Sequence, residues 1–259
     1  MMAFIDMHKL LGLPVLASKH GEDVDKFIIY IHWLMIVLFV GWLAFFLYTL
    51  VRFRRSKSPK ADYVGVKGHA SSYIEVAVAL VEAVLLIGFA IPLWTKVVEE
   101  FPNPSEATVV RVTAEQFSWN SRYPGKDGVF GRQSMEFVSP DNKFGYDPDD
   151  PAGKDDVTPP LKDIRVPVDK PVLIYLTSLD VIHSMSIHPL RVCQDAIPGM
   201  KIPVHFMPTV TGHYQITCAQ LCGNAHYGMN GFFNVETPED FQTWLDSNVQ
   251  SGAAAGGFE

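Results

Sequence analysis

The sequence is poor in cysteine and has no surplus of positive charge. Its 259 residues include three cysteines and no Cys-x-x-Cys-His motif, so a covalently attached haem c is not expected. Its 21 Lys and Arg residues stand against 28 Asp and Glu residues, and we expect no nucleic-acid partner. The first 26 residues lack the basic start and the continuous apolar stretch of a secretory signal peptide. We therefore expect residues 1–26 to be retained.

Long apolar runs are absent from the second half of the chain, but two occur near its beginning. Residues 27–51 read FIIYIHWLMIVLFVGWLAFFLYTLV and contain no formal charge. Residues 73–94 form a second run, which is interrupted by Glu75, Glu82 and Pro92. Because a helix of about 20 apolar residues spans the hydrocarbon core of a bilayer, both runs predict transmembrane helices.

The loop between the two runs is strongly basic. Residues 52–60 read RFRRSKSPK, and the positive-inside rule places such a loop in the cytoplasm. We therefore expect a bacterial cytoplasmic membrane protein with a hairpin at 27–95 and with both termini, including residues 1–26, on the periplasmic side. A carboxylate inside a span is costly unless it faces protein or water, so Glu82 is expected to pair with another subunit.

Residues 96–250 show the short apolar runs of a β domain. The runs are separated by Pro, Gly and Asp turns, which predicts an antiparallel sandwich or barrel. The predicted strands are 107–112, 163–168, 171–178, 213–218 and 231–237. A final helix is predicted from Pro238 to about Asn248, with Thr237 as its N-cap. The Gly- and Ala-rich residues 251–259 are expected to form a flexible tail.

Two of the three cysteines lie in the segment CAQLCGNAHYGM, together with one His and one Met. Thiolate, imidazole and thioether are together the ligands that copper selects. The predicted site comprises His183, Cys218, Cys222, His226 and Met229. A disulfide and a zinc site are the alternatives, but neither uses Met229. A mononuclear blue-copper site would leave one cysteine unused, whereas two thiolates can bridge two copper ions.

Longer motifs resemble subunit II of the haem-copper cytochrome c oxidases. They are SLDVIHS, QDAIPGM, PTVTGHYQITCAQLCGNAHYGM and GFFNVETPEDFQTWL. The resemblance implies an α+β membrane protein in which a two-helix transmembrane hairpin precedes an all-β cupredoxin domain, a Greek-key sandwich or barrel. It also implies a binuclear copper A centre with two copper ions. The implied ligands are His183, Cys218, Gln220 through its main-chain carbonyl, Cys222, His226 and Met229.

The function that this resemblance implies is electron transfer to an oxygen-reducing partner. The copper centre would accept electrons from cytochrome c or an equivalent carrier and pass them to haem in subunit I. Oxygen would be reduced there to water, coupled to proton translocation. The expected partners are subunit I, other oxidase subunits, the electron donor and membrane lipid, in an oxidase that could join a larger respiratory assembly.

Several positions depart from the family pattern or extend it. Many relatives have Glu where Gln220 stands, and that Glu helps to bind magnesium, so a magnesium ion at the subunit I interface is doubtful here. Phe117 and Trp119 resemble the family's electron-receiving aromatic residues, although Trp119 also suits a packed core. Glu75 resembles a carboxylate near the mouth of a proton path, or it is an interfacial acid. Cys193 matches no ligand and is expected to be a buried or half-buried free thiol.

Two other functions use similar ligands. Nitrous oxide reductase has the same copper centre, but it needs a propeller domain too large for 259 residues. A copper-binding assembly or storage protein without turnover is the alternative that stays open. Exposed, exchangeable ligands would favour that alternative.

Overall fold

The structure is a computed structural model that describes residues 7–61, 63–65, 67–139, 142–160 and 162–255, with side chains up to residue 248. The chain divides into two compact units. One contains Asp23–Glu100 and is helical. The other contains Pro14–Glu22 and Phe101–Glu259 and is mainly β.

The helical unit contains both apolar runs. Its helices are α1 (Met7–Leu10), α2 (Gly21–Arg52, which begins at the boundary with the other unit), α3 (Ala70–Leu85) and α4 (Ile91–Glu99), with a π-helical turn at Leu86–Ala90. Helix α2 and the continuous helix Ala70–Glu99 are each long and apolar enough to cross a membrane, with a mean hydropathy of 2.5. None of the residues in these apolar windows is buried within the chain. The two helices therefore need an apolar environment that the chain itself does not supply.

Pro92 explains the π-helical turn. A proline inside a helix has no amide N–H, and its ring clashes with the carbonyl four residues earlier. The turn at Leu86–Ala90 removes this conflict by widening the helix, and the Ile91 N–H donates to the carbonyl of Leu86 five residues back. The helix therefore continues through Pro92 to Glu99 instead of ending there.

The β unit is a sandwich of two mixed sheets. Its strands are β1 (Thr108–Glu115), β2 (Ser118–Arg122), β3 (Asp163–Pro167), β4 (Val172–Ser178), β5 (His183–Ile187), β6 (Val192–Ala196), β7 (Ile202–Phe206), β8 (Gly212–Cys218) and β9 (Asn230–Glu236). One sheet has the order β2-β1-β4-β7 and the other has the order β3-β9-β8-β5-β6. The sandwich with its N-terminal helices confirms the predicted fold class.

The strand directions correct one expectation. The pairs β1–β4 and β3–β9 are parallel, whereas an antiparallel sandwich was predicted. Parallel neighbours need a long connection, and the strands of each parallel pair are far apart in the sequence. The turn signals between neighbouring runs could not show which distant strands would pair.

The core lies between the two sheets, and helix α5 (Pro238–Ala255) packs against it. Thr237 caps this helix, because its hydroxyl accepts a hydrogen bond from the Asp240 N–H at 3.2 Å. Phe241 and Trp244 pack against the ring of Tyr123 in the core. The helix continues to Ala255, past the predicted end at Asn248.

Candidate metal centre

The predicted ligands lie at one end of the sandwich. His183 is the first residue of β5 and Cys218 is the last residue of β8, a strand that pairs with β5. The loop 219–229 then leads to β9. The Cys218 N–H donates to the Met229 carbonyl at 3.2 Å, and the Ala219 N–H donates to the Ser184 carbonyl at 2.9 Å. These backbone bonds close the loop and hold its two ends beside His183.

The two thiols form the middle of the cluster. The distance between Cys218 Sγ and Cys222 Sγ is 3.8 Å, far longer than a disulfide bond of about 2.05 Å. Each thiol has one imidazole beside it. The Nδ1 of His183 is 4.0 Å from Cys218 Sγ, and the Nδ1 of His226 is 3.5 Å from Cys222 Sγ. Each ring therefore presents a nitrogen to the same small space as the sulfurs.

The two remaining predicted donors lie on either side of the thiols. The Met229 Sδ is 3.7 Å from Cys222 Sγ, and the main-chain carbonyl of Gln220 is 3.1 Å from Cys218 Sγ. Met229 is buried, whereas Gln220 is exposed. The structure thus brings all six predicted ligands together, and the Gln220 side chain takes no part in this contact.

Burial favours the protonated form of the Cys222 thiol. Burial, together with the adjoining Cys218 thiol, raises the pKa of Cys222 to about 11, because two thiolates side by side would repel. A bound cation would remove this repulsion and favour both thiolates. The donor set of sulfur and imidazole fits copper, and the buried thioether gives a donor that zinc does not use.

Asp180 orients His183. Its carboxylate accepts a hydrogen bond from His183 Nε2 at 2.8 Å, and since a carboxylate only accepts, Nε2 carries the proton and Nδ1 is free to bind a metal. The Gln116 N–H donates to the same carboxylate at 2.7 Å. Burial raises the pKa of Asp180, but the hydrogen bonds from His183, Gln116 and Val181 outweigh this and hold it below its ordinary value.

Gln116 ties the turn between β1 and β2 to the ligand loop. Its side-chain amide donates to the Cys222 carbonyl at 2.6 Å. Beside it, Gly223 has a φ of +137°, and a Cβ there would lie 2.7 Å from the Gln116 amide and 3.1 Å from the Phe117 ring. Only glycine allows this close approach without strain. Asp180 and Gln116 were not predicted, although the spacing of Asp180 three residues before His183 was a usable signal.

The two predicted aromatic residues differ in their surroundings. Trp119 in β2 has no exposed surface, and its ring centroid lies 6.2 Å from that of His183. It is a packed core residue that also contacts a predicted ligand. Phe117 is half-buried, and it covers the ligand loop at Gly223. Their predicted role in electron transfer stays a prediction.

Three further residues lie outside the cluster. Cys193 is exposed, which corrects the expectation of a buried or half-buried thiol. It lies on β6, the edge strand of its sheet, where Val192 and Ala196 are buried and Cys193 faces outward. Glu75 and Glu82 lie on α3 and are exposed within the helical unit. Their predicted roles depend on a partner subunit and stay predictions.

Two membrane-type helices and a sandwich domain with a cluster of thiols and imidazoles define a membrane protein of the cupredoxin class. The family described as "Cytochrome C oxidase subunit II, periplasmic domain" matches residues 153–234. The "Alternative cytochrome c oxidase subunit 2" of Bradyrhizobium diazoefficiens is 32% identical over 234 residues, which cover 90% of this chain and 83% of the relative. The chain belongs to the family of cytochrome c oxidase subunit 2.

Further matching proteins are also named as this oxidase subunit. The "Cytochrome c oxidase subunit 2" of Synechocystis is 27% identical over 259 residues, covering 92% of this chain and 76% of the relative. Among solved structures, the periplasmic domain of subunit II of cytochrome oxidase from Bradyrhizobium japonicum is 25% identical, with a TM-score of 0.43. The match covers 59% of this chain and 99% of that domain. As a member of the subunit 2 family, the protein is a membrane protein with a periplasmic domain and a subunit of an oxidoreductase complex.

Proposed function

We propose that this chain is the electron-receiving subunit of a respiratory cytochrome c oxidase. It takes electrons from cytochrome c or an equivalent carrier outside the cytoplasmic membrane of a bacterium and passes them to haem in subunit I. Oxygen is reduced to water in that partner, coupled to proton translocation. The observation that carries this proposal is the convergence of six donor groups within the periplasmic domain of a subunit II family member.

The number of donors supports a site for two copper ions. A four-coordinate metal site needs about four donors, and this cluster offers two thiols, two imidazoles, a thioether and a carbonyl. Because the thiols lie in the middle with one imidazole beside each, both thiolates would help to hold the two ions. When bound, copper supplies a one-electron redox couple. We assign as ligands His183, Cys218, Gln220 through its carbonyl, Cys222, His226 and Met229.

The protein's own contribution is to hold these donors still. Asp180 fixes the ring of His183, and Gln116 fixes the main chain at Cys222. The backbone bond between Cys218 and Met229 fixes the ends of the loop. Ligands held by a surrounding hydrogen-bond network relax little when the charge of the site changes, which lowers the barrier to electron transfer. Burial of His183, Cys222 and Met229 also disfavours a storage protein, which needs exchangeable ligands.

Spectroscopy of the full chain within its purified membrane complex tests the proposal. We expect two copper ions per chain in this domain and an electron paramagnetic resonance spectrum in which one unpaired electron is shared by two copper nuclei. A spectrum from a single copper nucleus, with one ion bound per chain, would overturn the binuclear assignment. Rapid removal of copper by a chelator, without reduction of the site by cytochrome c, would favour the storage protein instead.

A further inference from the structure

A cleft between the two long helices is not used by the proposed electron transfer. Its volume is about 230 Å³, and it lies between α2 and the continuous helix formed by α3 and α4. The ends of the cleft differ in chemistry. Lys26 and Lys96 line it together with Asp23, whereas Phe27, Phe89 and Leu93 supply apolar walls.

The charged residues lie at one edge of the apolar spans. Lys26 directly precedes the uncharged run of α2, and Arg52 ends that helix. At about 1.5 Å per residue the two are separated by about 39 Å, close to the thickness of a bilayer with its headgroup regions, about 40–45 Å. Lys26 therefore lies at the level of lipid headgroups. Lys96 lies beside it, because both ammonium groups contact the same carboxylate of Asp23.

The charge of the cleft favours an anion. The Nζ of Lys96 is 3.4 Å from Asp23 and the Nζ of Lys26 is 4.0 Å from it. Among the residues that line the cleft, the charged ones are these two lysines and Asp23, so the lining has one positive charge in excess. Both lysine side chains are more than half exposed. Exposed ion pairs of this kind are weak, about 0–1 kcal/mol. An anion with several oxygen acceptors can therefore compete with Asp23 for the lysines.

The rest of the cleft favours an attached hydrocarbon chain. The rings of Tyr30 and Phe89 pack edge to face, with centroids 5.5 Å apart, and both residues line the cleft. Gly88 also lines it, and a Cβ at Gly88 would have no atom within 4 Å, so space is open beside it. A free inorganic anion would leave these apolar walls unused, whereas an amphipathic anion would cover them.

We propose that this cleft binds an anionic phospholipid of the outer leaflet. The phosphodiester accepts hydrogen bonds from the ammonium groups of Lys26 and Lys96. One acyl chain lies along Phe89 and Leu93. The site is independent of the metal centre, so it adds a lipid-specific contact to the proposed electron transfer.

The test compares the lipid retained by the full chain after purification from membranes and reconstitution into nanodiscs. Native mass spectrometry would count phosphatidylglycerol and phosphatidylcholine bound to the wild type and to charge variants. We expect Lys96→Gln to retain roughly fivefold less phosphatidylglycerol, which is the effect expected when one lysine near the lipid surface loses its charge. We expect Asp23→Asn to retain more, because it removes the competing carboxylate.

The opposite signs of these two variants separate lipid binding from a structural ion pair. If the contact between Lys96 and Asp23 only held the helices together, both substitutions would weaken the hairpin alike, and that outcome would overturn the proposal. Lys60→Gln is the matched control, since it makes the same charge change in the basic loop. An equal loss of lipid in Lys60→Gln would show unspecific attraction and would also contradict it.

A fourth variant tests the apolar part of the cleft without changing its charge. Gly88→Leu fills open space and is expected to reduce retained phosphatidylglycerol while the helix content stays the same. If inorganic phosphate alone binds as tightly as the lipid does, or if phosphatidylcholine binds equally well, the proposed lipid site is wrong. The copper spectrum is expected to be unchanged in all four variants, so failure here is distinguishable from failure of the proposed electron-transfer function.

Discussion

The β unit and the helical unit differ in how much of their apolar side-chain surface the chain itself buries. The β unit buries its large side chains against one another, and Trp119, Ile174 and Phe233 have no exposed surface. In the helical unit, large apolar side chains are exposed on the surface of the chain, and Trp42 is 64% exposed. Its solvent must therefore be lipid or another subunit. The difference separates a domain that can hold a rigid metal site from an anchor whose properties depend on its surroundings.

The largest expected effect is loss of the metal centre from the β unit. Replacing Cys218 or Cys222 with Ser removes a proposed thiolate ligand, so copper binding and the copper spectrum should disappear. Copper content and electron paramagnetic resonance of the purified complex measure this. Cys193→Ser on the exposed edge strand is the control and should keep full copper content, as should Glu75→Gln in the helical unit. Loss of copper in Cys193→Ser would contradict the ligand assignment.

The second expected effect compares two tryptophans. Trp119→Ala opens a cavity in the core and should lower the free energy of unfolding of the β unit by about 3–5 kcal/mol. Trp42→Ala removes a side chain that packs little within the chain, and should change that free energy by less than about 0.5 kcal/mol. Denaturant titration of the full chain in detergent, followed by near-ultraviolet circular dichroism, measures both. Equal losses would mean that the two units are not independent.

The third expected effect concerns the support of a ligand without its removal. Asp180→Asn removes the carboxylate that holds His183, and copper affinity should fall roughly 10- to 100-fold. Competition with a chelator of known affinity measures the change. Asp149→Asn makes the same charge change at an exposed position of the β unit and should leave the affinity as it is. If both variants bound copper equally, His183 would be held by packing alone.

The smallest expected effect is a dependence of stability on alkaline pH. Burial raises the pKa of Tyr123 above its ordinary value near 10, although the hydrogen bond that the Arg165 N–H donates to its hydroxyl oxygen opposes this. Above pH 10 the unfolded chain loses this proton and the folded chain keeps it, so stability should fall as pH rises. The slope is at most about 1.4 kcal/mol per pH unit.

A phenylalanine variant isolates this contribution. Tyr123→Phe should be less stable than the wild type at neutral pH, because it loses two hydrogen bonds with the main chain of Arg165. Between pH 10 and 11 its stability should fall less steeply than that of the wild type. Parallel curves for the two proteins in denaturant titrations would show that Tyr123 does not titrate on unfolding.

Strand β2 shows why some of the fold could not be predicted. Its sequence, SWNSR, is mostly polar and gives no alternating apolar pattern, yet all five residues are buried. The long connection after β2 covers it, and Asp156 from this connection pairs with Arg122, whose guanidinium also lies 3.6 Å from the Tyr146 ring centroid. A local pattern carries no information about a segment that folds over it from elsewhere in the chain.

The sequence by itself predicted the two spans, the strands with apolar runs and five of the proposed donors, and the family resemblance added the carbonyl of Gln220. An uncharged run of 25 residues needs lipid, and a string of Cys, His and Met at close spacing offers few chemistries other than copper. Only the tertiary structure decided which strands run parallel, that Cys193 is exposed, and that Asp180 and Gln116 support the site. These outcomes depend on contacts between residues far apart in the chain, such as the 106 positions between Gln116 and Cys222.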